Sequence, residues 1–338
     1  MNRRIVARAP GKLFLLGEYA VLDGCPAVVA AVGGHVEASL EIVGPPGTVH
    51  IVAPPHAPAT TFSPGEPLPL CGPLRFALAA VRATTPFRRP GIRIDIASRL
   101  SGPDGATLGL GSSAAVTVAV VAVMTAAAGA DPTLPMWRKS ILTLALGAHR
   151  DAQDGLGSGA DVAASVYGGV IRFAPANGSL PTVTPLTLPS DTILLAGWTG
   201  EPASTQGLVT HYRAAAARAP AVQHAFAKKS RTCVDRFVRG LSDRSLPLDP
   251  VTENGDALES LGGQLDLPVM TAQLRRLVAA AREHGAGAKV SGAGGGDCGI
   301  ALTRDRSVAE RIRSAWRSIG ITPLDLAIEN QGVTLAYT

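Results

Sequence analysis

Aromatic side chains are scarce in this sequence, and so are charged ones. Phe, Trp and Tyr make up 4% of the 338 residues, and Asp, Glu, Lys and Arg make up 17%, against a usual charged fraction of about 25%. Hydrophobic residues reach 46%, which excludes intrinsic disorder. Few aromatic rings and scattered basic residues, despite a net charge of +5, argue against a nucleic-acid-binding face. We therefore expect a folded protein with no nucleic-acid partner.

The chain also lacks paired cysteines and an export signal. Cys25, Cys71, Cys233 and Cys298 lie far apart with no C-x-x-C pair, so neither a zinc site nor a disulfide framework is indicated. The N-terminal arginines surround too short an apolar stretch for a signal peptide, which predicts a cytoplasmic location. The uncharged segment 105–130 is long enough to span a bilayer. However, it is dominated by Ala, Gly and Thr without flanking basic clusters, so we predict a buried helix and no membrane partner.

The length of the chain and its mixed patterning predict an α+β protein of two lobes. We place an N-terminal lobe at 1–175 and a C-terminal lobe at 176–338, because one domain usually has about 100–200 residues. Apolar runs separated by turns predict strands within 4–43, and the Pro- and Gly-rich residues 44–70 are predicted to be irregular. Beyond them the pattern predicts helices at 73–84, 114–130, 133–153, within 204–240, and at 251–263, 267–284 and 307–319, and strands at 92–96, 167–173, 192–197, 288–291, 298–302 and 332–337.

Two of the three glycine-bearing segments lie in the first lobe. In the first, Lys12 follows Pro10-Gly11 and precedes an apolar strand, so its ammonium group would be held on a stiff element; alternatively, it is an ordinary lysine at a strand start. The second segment directly precedes the long helix and has a composition that suits a phosphate cradle of backbone N–H groups. Its serine hydroxyls could bind Mg²⁺ or a phosphate oxygen, or one serine could simply cap the helix. The residues of this second segment are Gly109, Leu110, Gly111, Ser112, Ser113 and Ala114.

The third segment, 289–299, has four glycines within five residues, followed by Asp297 and a strand. Such a run exposes backbone amides to a ligand, although a glycine-rich turn is the simpler alternative. In order and spacing, the three segments resemble the three motifs of the GHMP small-molecule kinases, and this resemblance covers essentially the whole chain. It implies an N-terminal lobe with a ribosomal-protein-S5-like fold and an α+β C-terminal lobe, with ATP and substrate meeting between them.

Within that superfamily, four segments resemble the bacterial-type phosphomevalonate kinases. They are residues 17–22, the block from His149 to Ala164, residues 197–205 and the ending Gly295-Gly296-Asp297-Cys298. Mevalonate kinases usually carry a small residue in place of Asp297. The resemblance therefore implies transfer of a phosphoryl group from ATP to phosphomevalonate in isoprenoid biosynthesis.

The same resemblance assigns roles to individual residues. Lys12 and Asp161 would be catalytic, Mg²⁺ would be held at Ser113, and the segment 109–114 would hold the ATP phosphates. Asp161 would act as a base or orient Lys12 and the acceptor, unless it is merely a turn residue or the N-cap of the stretch Val162–Ser165. Asp297 is expected to point back and tether the glycine loop or a basic residue. Substrate contacts are expected from Tyr19, His149, Arg150, Ser158, Lys289, Ser291, Gly292, Ala293, Gly294, Gly295 and Asp297.

Two departures and several alternatives stay open at this stage. Asp154 stands where the family commonly has glycine, and Arg150 stands where mevalonate kinases carry a metal-binding glutamate. Mg²⁺ would then depend more on the serine loop and on oxygens of the nucleotide. The alternative functions are a mevalonate kinase, another GHMP kinase with a different small acceptor, and a non-catalytic binding protein of this fold. A homodimer is compatible with the sequence.

Overall fold

The computed structural model describes residues 4–43, 47–54, 57–62, 73–84, 91–102, 106–131, 134, 136–176 and 178–338. The strands within these ranges are β1 (Ile5–Leu16), β2 (Ala27–Ile42), β3 (Val49–Ala53), β4 (Ala57–Phe62), β5 (Ile92–Ser98), β6 (Val170–Ala174), β7 (Thr182–Leu186), β8 (Ile193–Trp198), β9 (Gly287–Ser291), β10 (Cys298–Thr303), β11 (Thr322–Leu324) and β12 (Thr334–Tyr337). The helices are α1 (Pro73–Thr84), α2 (Ser112–Ala127), α3 (Met136–Ala152), α4 (Ala160–Tyr167), α5 (Thr205–Arg218), α6 (Pro220–Ser242), α7 (Asp249–Leu265), α8 (Ala272–Glu283) and α9 (Arg306–Ser318).

The larger sheet is built around the antiparallel pair β1–β2. Its strand order is β12-β1-β2-β5-β3-β4, and β6 joins β2 while β7 joins β6. All the pairs are antiparallel except β3–β5. The β1–β2 register shifts between Pro10 and Gly11. This irregularity falls immediately before Lys12, which lies within β1 opposite Ala31.

Helix α2 packs on this sheet and is buried along nearly its whole length. Its Ala and Val side chains form no polar face, and a helix that is apolar all round belongs in a core. Small residues allow α1, α3 and the sheet to approach closely. Across the described residues, no helix combines the length and the hydropathy needed to cross a bilayer. The prediction of a buried helix is therefore confirmed.

A second, antiparallel sheet has the order β11-β8-β10-β9. Helices α8 and α9 pack on it around Trp316, whose indole N–H donates to the carbonyl of Leu277 at 2.9 Å. Gly197 and Gly299 make this packing possible, because a Cβ at either would come within 3.0 Å of the Leu277 side chain. This sheet places the ends of β9 and β10, and thus the loop between them, against β1.

The chain returns to the first sheet at its end. β12 pairs with β1, although it lies at the end of the sequence. β7, which also follows residue 176, pairs with β6 in the same sheet. Here Gly332 crosses the end of α4, where a Cβ would lie 2.0 Å from the carbonyl oxygen of Val166. The division at 175 and 176 stays a prediction, and the sheets do not follow that boundary strictly.

Most of the predicted elements are confirmed within a few residues. The prediction of irregular structure across 44–70 is wrong for the described part, where β3 and β4 lie; residues 63–70 are outside the described ranges, as is Cys71. The short elements α4, β7 and β11 were not predicted. Their lengths of three to eight residues are too short for a clear hydrophobic period, and their pairing depends on distant strands.

We expect Gly332→Ala to destabilise the protein, because its Cβ would overlap backbone that cannot rotate away. Overpacking of this kind costs about 1–3 kcal/mol. The matched control is Gly263→Ala, at an exposed position late in α7 with nothing within 4 Å of the added atom. Its free energy of unfolding should rise by about 0.5–1 kcal/mol, because alanine has the higher helix propensity. Urea unfolding of both variants measures the difference, and equal effects would contradict the close crossing at Gly332.

Candidate active site

A cavity of about 220 Å³ brings together separated parts of the chain. Its walls come from β1 and the turn after it, the segment before α2 with the first turn of α2, the starts of α4 and α5, and the loop between β9 and β10. All three glycine-bearing segments therefore meet at one place. The predicted site residues that line it are Lys12, Tyr19, Gly109, Leu110, Gly111, Ser112, Ser113, Ser158, Asp161, Ser291, Gly292, Ala293 and Asp297.

Lys12 is held between the first two segments. Its Nζ donates to the carbonyl of Gly109 at 3.0 Å, and its backbone N–H donates to the carbonyl of Leu110 at 2.8 Å. The side chain is 9% exposed, and Nζ lies 5.5 Å from the centroid of the Phe14 ring, a favourable cation–π distance. The ammonium group is thus fixed on a strand and faces the cavity, as the functional interpretation requires.

The segment before α2 presents backbone N–H groups to the cavity. Gly109 and Gly111 have φ of +70° and +77°, and a Cβ at Gly111 would lie 2.8 Å from the Lys12 stem. Gly111 occupies the N-cap position without any side-chain cap bond. The alternative that a serine caps this helix is therefore not what the structure has. The first N–H groups of α2, from Ser112 to Ala114, have no intrahelical acceptor, and the helix dipole favours an anion there.

A buried histidine links the start of α2 to α4. His149 Nε2 lies 3.3 Å from Ser113 Oγ and 4.0 Å from Asp161 Oδ2. The imidazole is 3% exposed and packs against the Phe76 ring. Burial lowers the pKa of His149, although the Asp161 carboxylate opposes this effect. The histidine is consequently neutral near neutral pH and holds two cavity residues from behind.

Asp161 lines the cavity near the N-terminus of α4. One of its oxygens accepts from the Val162 backbone N–H at 2.9 Å, and the other faces His149. Gly159 takes the N-cap position of this helix, so Asp161 is not its N-cap. No ion pair joins Asp161 to Lys12 within 4.0 Å, which leaves the expected orientation of Lys12 by Asp161 without support.

The third glycine segment is attached to the first by side-chain contacts. The Ser291 hydroxyl donates to the carbonyl of Phe14 at 3.0 Å, and the Tyr19 hydroxyl donates to the carbonyl of Ala293 at 2.6 Å. Gly294 and Gly295, in contrast, do not line the cavity: Gly295 N–H donates to the carbonyl of Val269, and a Cβ at Gly294 would lie 2.2 Å from that oxygen. These two glycines pack against Val269 outside the cavity lining, and their expected contact with a substrate stays a prediction.

Asp297 holds a neighbouring segment in place. Its Oδ1 accepts from the Ala203 N–H at 3.1 Å, and its own backbone bonds to Thr199 and Glu201. Burial raises the pKa of Asp297, against the opposing effects of the Ala203 N–H and of Lys12. The carboxyl group packs on Gly109, where a Cβ would lie 2.7 Å from the carboxyl carbon. Asp297 therefore connects the segment before α2 to the residues just before α5.

The cavity is not lined by three other residues that are expected to contact the substrate: His149, Arg150 and Lys289. His149 lies behind Ser113, as described above, and Arg150 is exposed on the outer side of α3. Lys289 is fully buried in an ion pair with Glu18; burial lowers its pKa, with Glu18 opposing. Ala114 is likewise buried and contributes backbone only.

With these three residues outside the cavity, its lining has fewer basic side chains than the sequence had indicated. Among the described residues that line the cavity, Lys12 is the single basic side chain, whereas Glu18, Asp161 and Asp297 are acidic. A cavity with this charge balance needs backbone N–H groups and cations brought by the ligand before it can hold polyphosphate. Two of these placements had a signal in the sequence. Position 149 falls on the apolar helical stripe formed by residues 141, 142, 145, 148 and 152, whereas position 150 falls outside it. For Lys289, the signal was an acidic residue, Glu18, within the segment 17–22.

Sequence reasoning also missed several polar residues of the cavity. Glu18, Gln153 and Thr205 line it, although each lies in a segment that carried the resemblance. The resemblance of a segment to a family motif does not show which of its side chains faces the cavity, so it predicts no role for these three residues.

Comparison with known proteins agrees with this geometry. Residues 74–169 match the model of the GHMP kinase N-terminal domain, and residues 242–322 match that of the GHMP kinase C-terminal domain. The chain belongs to the GHMP kinase family.

Relatives within the family carry more specific names. The chain is 34% identical to a phosphomevalonate kinase of Streptomyces sp. (strain CL190), covering 98% of this chain and 99% of that protein. It is 28% identical to a mevalonate kinase of Pyrococcus horikoshii, covering 99% and 98%. A Streptococcus pneumoniae phosphomevalonate kinase, solved in complex with phosphomevalonate and AMPPNP, shares the fold with a TM-score of 0.80 at 21% identity, covering 95% of this chain and 99% of that one.

The buried position of His149 predicts a pH-dependent stability. Below about pH 6.5 an unfolded histidine takes up a proton, whereas His149 in the folded protein stays neutral, so the unfolded state binds more protons. The free energy of unfolding should therefore fall as the pH drops from 7.5 to 5.5. It should fall less in His149→Asn, measured by urea unfolding at both pH values. His211→Asn, at an exposed position on α5, is the control, and a pH dependence that is identical in both variants and the parent protein would contradict the prediction.

Proposed function

We propose that this chain transfers the γ-phosphoryl group of ATP to phosphomevalonate. The observation that carries the proposal is the meeting, in one cavity, of the Lys12 ammonium group, the uncapped N-terminus of α2 and the third glycine loop. The 34% identity to the Streptomyces phosphomevalonate kinase over 98% of this chain supports the proposal. A non-catalytic binding protein would not need a lysine placed between two phosphate-facing segments.

The substrate pair explains why such a site is built mainly from backbone. Both ATP and a phosphate monoester with a carboxylate are polyanions, and their approach is opposed by strong repulsion. Phosphoryl transfer passes through a loose transition state, so the protein chiefly positions the reactants and neutralises charge. The α2 N–H groups and the loop 291–293 can do so without the reorganisation that long side chains require.

The chemical step needs little help from a base. An oxygen of the acceptor phosphate attacks the γ-phosphorus while the bond from that phosphorus to the ADP oxygen breaks. The second pKa of a phosphate monoester is about 6, so the attacking oxygen is already largely ionised. Lys12 stabilises the charge on the transferred group, and the Asp161 carboxylate is available to orient what binds beside it.

Mg²⁺ fits the oxygen groups present at the start of α2 and α4. In the described residues, no cluster of three or more His, Cys, Asp or Glu could hold a metal by itself. Mg²⁺ commonly binds through one or two protein oxygens together with substrate phosphates. The Ser113 hydroxyl and the Asp161 carboxylate, both beside His149, would hold it, and the ion would neutralise phosphate charge in a cavity poor in basic side chains.

We expect Lys12→Met to fold normally and to lower kcat much more than it raises the KM for ATP. Loss of one such electrostatic contact costs on the order of 3 kcal/mol, or ~10²-fold in rate. Lys139→Met, at an exposed position on α3, is the control. Steady-state kinetics of both variants make the comparison, and a Lys12→Met enzyme with the kcat of the parent protein would remove Lys12 from the mechanism.

The test of the function is a panel of acceptors: phosphomevalonate, mevalonate, homoserine and galactose. We expect kcat/KM to favour phosphomevalonate by a large factor, because donors prepared for a phosphate are left unpaired when it is missing. The preference should decrease at high ionic strength, since the cavity is open enough for screening. A preference for mevalonate would favour the mevalonate kinase alternative instead.

A further inference from the structure

The Glu18–Lys289 ion pair is the most deeply buried pair of opposite charges in the described part of the chain. Lys289 is fully buried on β9, and Glu18 is 2% exposed in the turn after β1. The Lys289 ammonium also donates to the carbonyl of Val290. Neither residue has a role in the chemistry described above, although Glu18 lines the cavity.

The pair lies within a continuous set of contacts between the first and third glycine segments. We call the contacts between residues 14–19 and residues 289–293 the seam. Besides the ion pair, the seam contains the bonds from Ser291 to Phe14 and from Tyr19 to Ala293. The same Glu18 oxygen that meets Lys289 also accepts from the Gly292 N–H at 3.4 Å. Through Glu18, the lysine is thus connected to an amide that lines the cavity.

The seam ends beside Lys12. A Cβ at Gly292 would lie 3.9 Å from Lys12 Nζ, with nothing nearer within 4 Å. The Gly292 backbone and the Lys12 ammonium group are consequently neighbours: Lys12 lies on β1 of the first sheet, and Gly292 directly follows β9 of the second. Any movement of β9 relative to β1 would change the separation of these two groups.

Stability alone gives a weak reason for this pair. Two ions that leave water lose most of their hydration, and replacement of a buried pair by apolar side chains is often neutral or stabilising. The second oxygen of Glu18 has no hydrogen-bond partner in the described part of the chain, so the pair is not even fully satisfied. A pair of this kind is better explained by what it holds in position.

We propose that Glu18 and Lys289 are positioning residues that set the place of the Gly292 amide relative to Lys12. Glu18 accepts from that amide, and Lys289 compensates the buried charge of Glu18, so the pair controls the rate of phosphoryl transfer through the place of the Gly292 amide. The proposal rests on the proposed kinase function. It gives Lys289 a role different from the substrate contact that its sequence position had indicated.

The test compares two double variants of similar size. Glu18→Met with Lys289→Met removes both charges and the acceptor for Gly292, whereas Glu18→Gln with Lys289→Met removes both charges and retains an acceptor oxygen. Neither leaves an unpaired buried charge, so both should keep a Tm within about 5 °C of the parent protein. The single variants Glu18→Met and Lys289→Met are expected to unfold at clearly lower temperature.

The readout is kcat together with the Kd of a non-hydrolysable ATP analogue. We expect kcat to fall at least about tenfold in the Met/Met variant, because small misplacements of positioned groups are costly, and no more than about threefold in the Gln/Met variant. The analogue Kd should stay within about twofold of the parent value in both, because the pair does not touch the segment 109–114. Arg304→Gln with Asp191→Asn, which removes an exposed ion pair, controls for loss of charge and should leave kcat unchanged.

Equal kcat values in the two folded double variants would overturn the proposal, because the acceptor for Gly292 would then not matter. Equal losses of kcat and analogue affinity would also overturn it. If the Met/Met variant does not fold, the Glu18→Gln with Lys289→Met variant is compared with the parent protein: it retains the acceptor oxygen, and a tenfold loss of kcat in this folded variant would contradict positioning through Gly292. Turnover is measured with whichever acceptor the parent protein uses best, so failure of the phosphomevalonate assignment leaves this comparison intact.

Discussion

A single ammonium group has to be held among loops from distant parts of the chain, and the rest of the site depends on how this is done. Lys12 is fixed through its backbone to Leu110 and through its side chain to Gly109. These two bonds join β1 to the segment before α2. Both bonds use main-chain carbonyls, so they fix the backbone of the segment, and the first turn of α2 then lies at the same cavity as the lysine.

The close approach of these loops explains the glycines better than flexibility does. Gly11 brings β1 against the Leu110 carbonyl, where a Cβ would lie 2.9 Å from the oxygen. Gly109 leaves room for the Asp297 carboxyl group, and Gly111 leaves room for the Lys12 stem. At each of these three positions, one extra carbon atom would displace a neighbouring group. The cavity is therefore a packed arrangement of backbone, and this is how a protein with few charged residues can bind polyanions.

The basic side chains and the histidine of the site lie at different depths. Lys12 faces the cavity, His149 supports Ser113 and Asp161 from behind, and Lys289 supports the third loop through Glu18. Burial suppresses the charge of His149, since its pKa is lowered, whereas Lys289 has an acid directly beside it. Basic side chains that could have faced a polyanionic substrate are instead buried behind the groups that line the cavity.

The fold class, most of the helices and strands, and the three segments that form the cavity could be predicted from the sequence, because glycine runs and hydrophobic periods depend on local chemistry. The resemblance to family motifs also identified Lys12, Ser113, Asp161 and Asp297 as cavity residues. Tertiary contacts were needed to show that Lys289 points into the core and that Gly294 and Gly295 pack on Val269. On β9 every residue is buried, so alternation along the strand does not distinguish a side chain that faces the cavity from one that faces a neighbouring segment. That choice depends on Glu18, which lies 271 residues away in the chain, and no local pattern contains it.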